Sequence, residues 1–151
     1  MRFALLIQNR LINAVVRVLL RAGLAPPTYA MLEITGRRSG RRRQIPVANG
    51  LEGDTFWLIA ALGEKAHSVR NIHTNPRVRV KARPARLRDG VRMRWRTGTA
   101  RLMPDDDPRA RQRRLSRGRP GYRADGILLR TLAGIAGANM LTVRVDLDPI
   151  V

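Results

Sequence analysis

The chain of 151 residues contains no cysteine. That removes disulfide frameworks, thiolate metal sites and cysteine nucleophiles together. Lysine is almost missing too. Lys65 and Lys81 are the two lysines among 30 basic residues, so the other 28 are arginine. Acidic residues number 11, and the formal charge is +19. The aromatic residues are Phe3, Tyr29, Phe56, Trp57, Trp95 and Tyr122. Single-strand nucleic-acid binders interleave cations with stacking rings on a sheet face. Here Trp95 alone lies among strand arginines, and its parity sets it opposite them, so no specific RNA or DNA module is expected. The charge predicts nonspecific sticking at low salt and nothing more. The histidines, His67 and His73, are six apart with no acid at a compatible position, which predicts no metal site. Ser39, Ser68 and Ser116 are the serines, and none lies in a nucleophile-elbow pattern.

What is present describes one folded domain. Hydrophobic residues make up 44% and charged residues 27%, outside the disordered range. A chain of this length buries roughly two thirds of its unfolded surface. An arginine surplus attracts polyanions such as nucleic acid, anionic lipid or a small phosphate- or carboxylate-bearing molecule. GC-rich coding drift produces the same surplus, so charge by itself names no partner.

Residues 3–22 predict a helix, with Leu5, Leu6, Ile12, Val15, Val16, Leu19 and Leu20 at helical spacing. Gly23 and Pro26-Pro27 end it. Charge interrupts it too often for a membrane span or a signal peptide. Two readings stay open: an apolar stripe packed on the domain, or a basic amphipathic helix resting on a membrane surface. Residues 1–26 therefore form a segment apart from the domain at 27–151.

From Tyr29 the period changes to two. Strands are predicted over 29–34, 43–48, 55–61, 77–82, 91–102 and 140–147, with a hairpin marked by Asn49-Gly50 and Gly53-Asp54. In the run 91–102 the apolar parity flips after Gly98, which predicts a bulge. Short helices are predicted over 66–74, stopped at Asn75-Pro76, and over 105–116, where Asp105, Asp106 and Asp107 precede a run of arginines. Capping explains that acidic cluster better than catalysis does. Residues 126–136 are a weaker helix candidate. Six strands with peripheral helices predict an α+β fold built on a small antiparallel barrel.

The segment Thr35-Gly36-Arg37-Arg38-Ser39-Gly40-Arg41-Arg42-Arg43 holds five arginines between two strands. Its glycines let backbone approach a ligand, and its guanidinium forks and N–H groups suit phosphate. It has neither the Walker A ending nor a Rossmann spacing. A solvated basic hairpin loop is the competing reading.

The order of several motifs resembles the deazaflavin-dependent nitroreductase family, which includes F420-dependent quinone reductases. Gly36-Arg37-Arg38-Ser39-Gly40, followed by Arg43 and Pro46, resembles its signature. Val69-Arg70-Asn71-Ile72-His73-Thr74-Asn75-Pro76 is similar to a second family segment. Thr97-Gly98-Thr99-Ala100-Arg101-Leu102, Asp105-Asp106-Asp107-Pro108 and Leu141-Thr142-Val143-Arg144-Val145-Asp146-Leu147 are similar to stretches of one branch. The resemblance runs from about residue 5 to the C-terminus.

The resemblance implies a split β-barrel of the FMN/F420-binding type. It implies coenzyme F420 rather than FMN, and hydride transfer from the reduced coenzyme to a quinone, nitroaromatic or other apolar acceptor. The coenzyme carries a phosphodiester and a tail of glutamates. Arg38 and Arg43 fall on the family's phosphate-contacting basic positions. Arg37, Ser39, Gly40 and Arg41 complete the nest, and Arg41 and Arg42 are candidates for tail carboxylates. Gln44, Ile45, Pro46 and Val47 fall on the strand that lines the ring. Ala60, Ala61, Leu62 and Gly63 end the next strand near it. Ser68, Val69 and Asn71 fall on the helix beside phosphate and tail. Ser68 replaces a family tryptophan, and Tyr122 is the one tyrosine near the C-terminal helix. These departures imply a different substrate, or a wider apolar pocket suited to a prenylated quinone, with Tyr122, Ser68 or solvent as candidate proton donors. The resemblance further implies a cytoplasmic protein, membrane contact through residues 3–22, and a homodimer. A non-catalytic coenzyme carrier and a basic membrane-surface or nucleic-acid binder are the alternative functions.

Overall fold

The computed structural model describes residues 29–83, 93–117 and 139–149. The expected helices over 3–22 and 126–136, and Tyr122, lie outside them. Seven strands form one antiparallel sheet: β1 (Tyr29–Thr35), β2 (Arg42–Ala48), β3 (Leu51–Glu52), β4 (Thr55–Ala60), β5 (Arg77–Ala82), β6 (Arg94–Met103) and β7 (Leu141–Leu147). A 3-10 turn at Gly63–Lys65 leads into helix α1 (His67–Thr74), and helix α2 (Pro108–Ser116) follows β6. The strand order is β2-β1-β5-β6-β7-β4-β3. The two-residue β3 is the strand that sequence periodicity missed, because it is too short to show a period.

Alternation decides the layers. Ala30, Leu32 and Ile34 of β1, Phe56 and Leu58 of β4, Val78, Val80 and Ala82 of β5, Ala100 of β6, and Val143, Val145 and Leu147 of β7 form one buried cluster. Ile45, Val47 and Leu102 pack against it from partly buried positions. One face of every long strand thus lines a common core, and the sheet curls around it as a half-barrel. Ile72 of α1 enters the same cluster. The opposite face carries a smaller cluster in which Leu115 of α2 covers Trp57, with Ala48 beside it.

Helix α2 begins at Pro108 rather than at residue 105. Asp107 caps it by accepting the N–H groups of Arg109 (3.0 Å) and Ala110 (3.3 Å). Pro108 sits at the first helical position, where no donor is lost. Asp106 instead pairs with Arg111 at 3.0 Å, and Arg111 lies 3.8 Å over the Trp57 ring. The acidic cluster is therefore a helix start, as capping predicts.

The expected bulge at Gly98 does not form. β6 pairs one-to-one with β5 from Arg94 to Thr99 and one-to-one with β7 from Gly98 to Met103. Gly98 is where the strand passes from one partner to two. A Cβ there would lie 2.7 Å from the Asp146 carbonyl oxygen and 2.9 Å from Val145 Cγ1, so glycine permits close strand approach. The apparent parity flip has another cause. Trp95 lies on the outer face, where Arg79 of β5 stacks 4.8 Å from its ring. Arg96 takes the core-side position at the sheet's rim and pairs with Asp54 at 2.9 Å.

Candidate functional site

The registers bring several chain segments to one end of the half-barrel. β1 ends opposite the start of β2 (Thr35 with Arg42), and β5 begins at the same level (Glu33 with Arg79). β4 runs back toward that end and finishes at Ala60, opposite Leu141. Helix α1 connects the end of β4 to the start of β5, so it spans this end, anchored by buried Val69 and Ile72.

The arginine-rich loop is a tight turn. The Gly36 N–H donates to the Arg41 carbonyl (2.8 Å), and the Gly40 N–H donates to the Gly36 carbonyl (2.9 Å). Gly40 has φ +67°, a conformation that costs glycine little and other residues more. Ser39 Oγ accepts the Arg41 N–H at 3.2 Å, so this hydroxyl is used to hold the turn. A Cβ on Gly36 would lie 2.9 Å from Ser39 Oγ.

One side chain joins this turn to α1. Asn71 is buried, and its Oδ1 accepts the Arg37 N–H (3.1 Å) and the Arg37 guanidinium (2.9 Å). Arg37 is therefore spent on holding the loop against the helix. Arg38, Arg41 and Arg43 are exposed, and among the described residues their guanidinium groups have no acidic partner. A pinned turn that presents uncommitted guanidiniums has the chemistry to receive phosphate or carboxylate oxygens. The residues present fit an elongated polyanion such as the coenzyme.

The other expected site residues divide. Ala60, Ala61, Leu62 and Gly63 lie at the same end, and Leu62 is 39% exposed, the exposed large hydrophobic among the described residues. Ser68 is half-buried in the first turn of α1, and Val69 is buried beneath it. Gln44, Ile45, Pro46 and Val47 do not share a surface. Ile45 and Val47 pack toward the core, while Gln44 lies on the outer face, where its amide donates to Glu33 at 3.0 Å.

Glu33 is the residue that sequence reasoning missed. Its carboxylate is 6% exposed and accepts two bonds from Arg79, at 2.8 and 2.9 Å. Arg42 stands 3.8 Å away. The Arg79 hydrogen bonds hold its pKa below the ordinary carboxylate range against the opposing effect of burial, and Gln44 adds to the lowering. An acid within an otherwise apolar strand, Tyr29–Thr35, was the available signal.

The sequence matches the family model described as F420H(2)-dependent quinone reductase over residues 12–126. No curated protein matches it significantly. Among solved structures, an F420 reductase is 20% identical over 85% of this chain and 92% of its own, with a TM-score of 0.55. An F420-H2 dependent reductase is 18% identical over 78% and 93%, with a TM-score of 0.50. The heme storage protein HutZ of Vibrio cholerae is 11% identical over 82% and 84%, with a TM-score of 0.56. These structural likenesses establish the split-barrel fold, which carries different ligands in different proteins. The family match spans most of the chain: the protein belongs to the F420H2-dependent quinone reductase family and is an oxidoreductase dependent on coenzyme F420.

Proposed function

We propose that this protein reduces a quinone-like or similarly apolar acceptor, and that Arg38 and Arg43 hold the coenzyme phosphate. The observation that carries the reading is the turn at 36–41, pinned to α1 through Arg37 and Asn71 while its other guanidiniums stay open. When bound in its reduced form, the coenzyme supplies the hydride, and a quinone that takes the hydride and one proton leaves as the hydroquinone. The chain's task is positioning. The loop arginines anchor the anionic end, Arg41 adds a carboxylate contact, and the backbone at Ser39 and Gly40 closes around it. Leu62, with the half-buried Ala61 beside it, offers apolar surface at the same end of the barrel, which suits an apolar acceptor. Ser68, Tyr122 and solvent are the candidate proton donors. The basic amphipathic pattern of residues 3–22 suits delivery of a membrane-dissolved acceptor.

Titration with oxidised F420, followed by coenzyme fluorescence, tests the binding. Arg38→Ala and Arg43→Ala should each weaken it about tenfold, the effect of one lost charge-assisted bond at an exposed site. Turnover of the reduced coenzyme with menadione and with a prenylated quinone tests the reaction. Saturable binding without turnover on any acceptor would identify a coenzyme carrier instead, and absence of saturable binding overturns the reading.

A further inference from the structure

On the outer face of the sheet, behind the arginine-rich turn, lies a cavity of about 190 Å³ formed where β1, β5 and β6 meet the start of β2. Arg42, Arg77 and Arg79 line it together with Glu33 and the hydroxyl-bearing Thr35 and Thr97. Side chains alternate along β2, so Arg42 projects to this outer face while Arg43 projects to the core side. The cavity is thus separated by the edge strand from the surface that Arg38 and Arg43 present.

Its charges do not balance. Arg79 is held by Glu33 at 2.8 Å, and Arg77 is held by Asp148 at 2.6 Å. Arg42 is left with a 3.8 Å contact to a carboxylate already engaged by Arg79 and Gln44, and its side chain is 70% exposed. Three guanidiniums against two carboxylates leave one positive charge at the cavity wall. The hydroxyls of Thr35 and Thr97 have no protein partner among the described residues, so donors are available beside that charge.

We propose that this cavity is a carboxylate-binding site, in which Arg42 supplies the ion pair and the hydroxyls of Thr35 and Thr97 the accompanying hydrogen bonds. A single carboxylate group brings one charge to the single surplus charge, whereas a phosphate dianion concentrates two on one group; glutarate presents one carboxylate to the cavity and leaves its second, several carbons away, in solvent. The carboxylate has two sources: a separate small acid, or the glutamate tail of a coenzyme anchored by its phosphate around the edge of β2. The second source rests on the coenzyme reading above, and the first does not.

Arg79 forms one wall of the cavity and also stacks on Trp95, so Trp95 emission reports occupancy. Glutarate titrated into the whole protein should change that emission saturably, and Trp95→Phe should abolish the change. Arg42→Ala and Thr97→Val should each weaken glutarate binding about tenfold. Arg42 is exposed enough for its removal to leave the fold intact. Inorganic phosphate should bind more weakly than glutarate. No saturable response, or a response that both variants leave unaltered, overturns the proposal. A parallel titration compares F420 carrying glutamates with the form lacking them. A preference for the tailed form that Arg42→Ala erases identifies the tail as the occupant. Equal binding of the two forms alongside glutarate binding identifies a separate acid. Glutarate binding without binding of either coenzyme form supports the cavity and overturns the coenzyme reading alone.

Discussion

At the residue scale, Asn71 has the most consequential contacts for its size. A buried amide oxygen accepts both a backbone N–H and a guanidinium from Arg37, and on the Asn71 side these bonds stand in for water that the buried amide cannot reach. Asn71→Ala leaves the Arg37 N–H without its acceptor. The expected cost is about 1–3 kcal/mol of stability, read from urea unfolding, together with weaker F420 binding because the turn loses its anchor. Asn71→Asp keeps an acceptor oxygen facing Arg37 and should restore most of the coenzyme affinity, whereas Asn71→Leu should not. Equal affinities in all three variants would show that the turn holds its shape without the helix. The two motifs could be read from the sequence as separate pieces. Their joining could not, because 34 positions separate the partners and neither side chain's type discloses its mate.

At the scale of elements, strand β6 shows how far alternation can be trusted. Its residues alternate without interruption, and both partner registers are continuous. The expected bulge came from treating every apolar residue as core-facing. Trp95 is covered on the outer face by Arg79, so an aromatic ring and a guanidinium occupy a surface that pattern alone assigns to water. Gly98 owes its identity to the neighbouring backbone of β7. Gly98→Ala would drive a methyl group against the Asp146 carbonyl and should cost about 1–3 kcal/mol by overpacking. Gly98→Val should cost more, since added atoms meet backbone that cannot step aside. Thermal melts of the two variants check the order, and an Ala variant as stable as the parent would mean that β7 has room to move. Strand β5, by contrast, occupies the span that its alternation of arginine and valine predicts, because one wet face and one buried face leave a plain signal over six residues.

At the scale of the whole molecule, Glu33 ties three strands together. Its carboxylate reaches Arg79 on β5 and Gln44 on β2 from its own place on β1. Its pKa is lowered on folding, chiefly by Arg79, so its contribution to stability is full above the unfolded pKa and is lost as pH falls through the folded value. The protein should therefore lose stability as pH drops from about 5 toward 3. Glu33→Gln should be less stable at pH 7, by about 2–4 kcal/mol, and its stability should vary less over that acid range. Asp106, lowered chiefly by its bond to Arg111, keeps part of the slope in the variant. Unfolding midpoints measured against pH for both proteins check this, and parallel curves would show that Glu33 carries no share of the acid sensitivity. No helix among the described residues is long and apolar enough to cross a membrane.

The sequence by itself determined the six longer strands, the two short helices, the capping role of the acidic cluster at 105–107 and the arginine-rich turn. Each is a local matter of period, turn chemistry or cap, settled within a few residues. Motif order determined the family, because order survives where single pieces are weak. The tertiary structure alone decided which loop arginines are committed and which are open: Arg37 is consumed by Asn71, while Arg38, Arg41 and Arg43 are not. It alone placed Arg42 and Arg43 on opposite faces of the edge strand, and it alone gathered Glu33, Arg77 and Arg79 around one cavity. Charge has no direction in a sequence. A guanidinium becomes a site or a strut according to what cross-strand register and helix docking set within about 3 Å of it, and those partners come from distant parts of the chain.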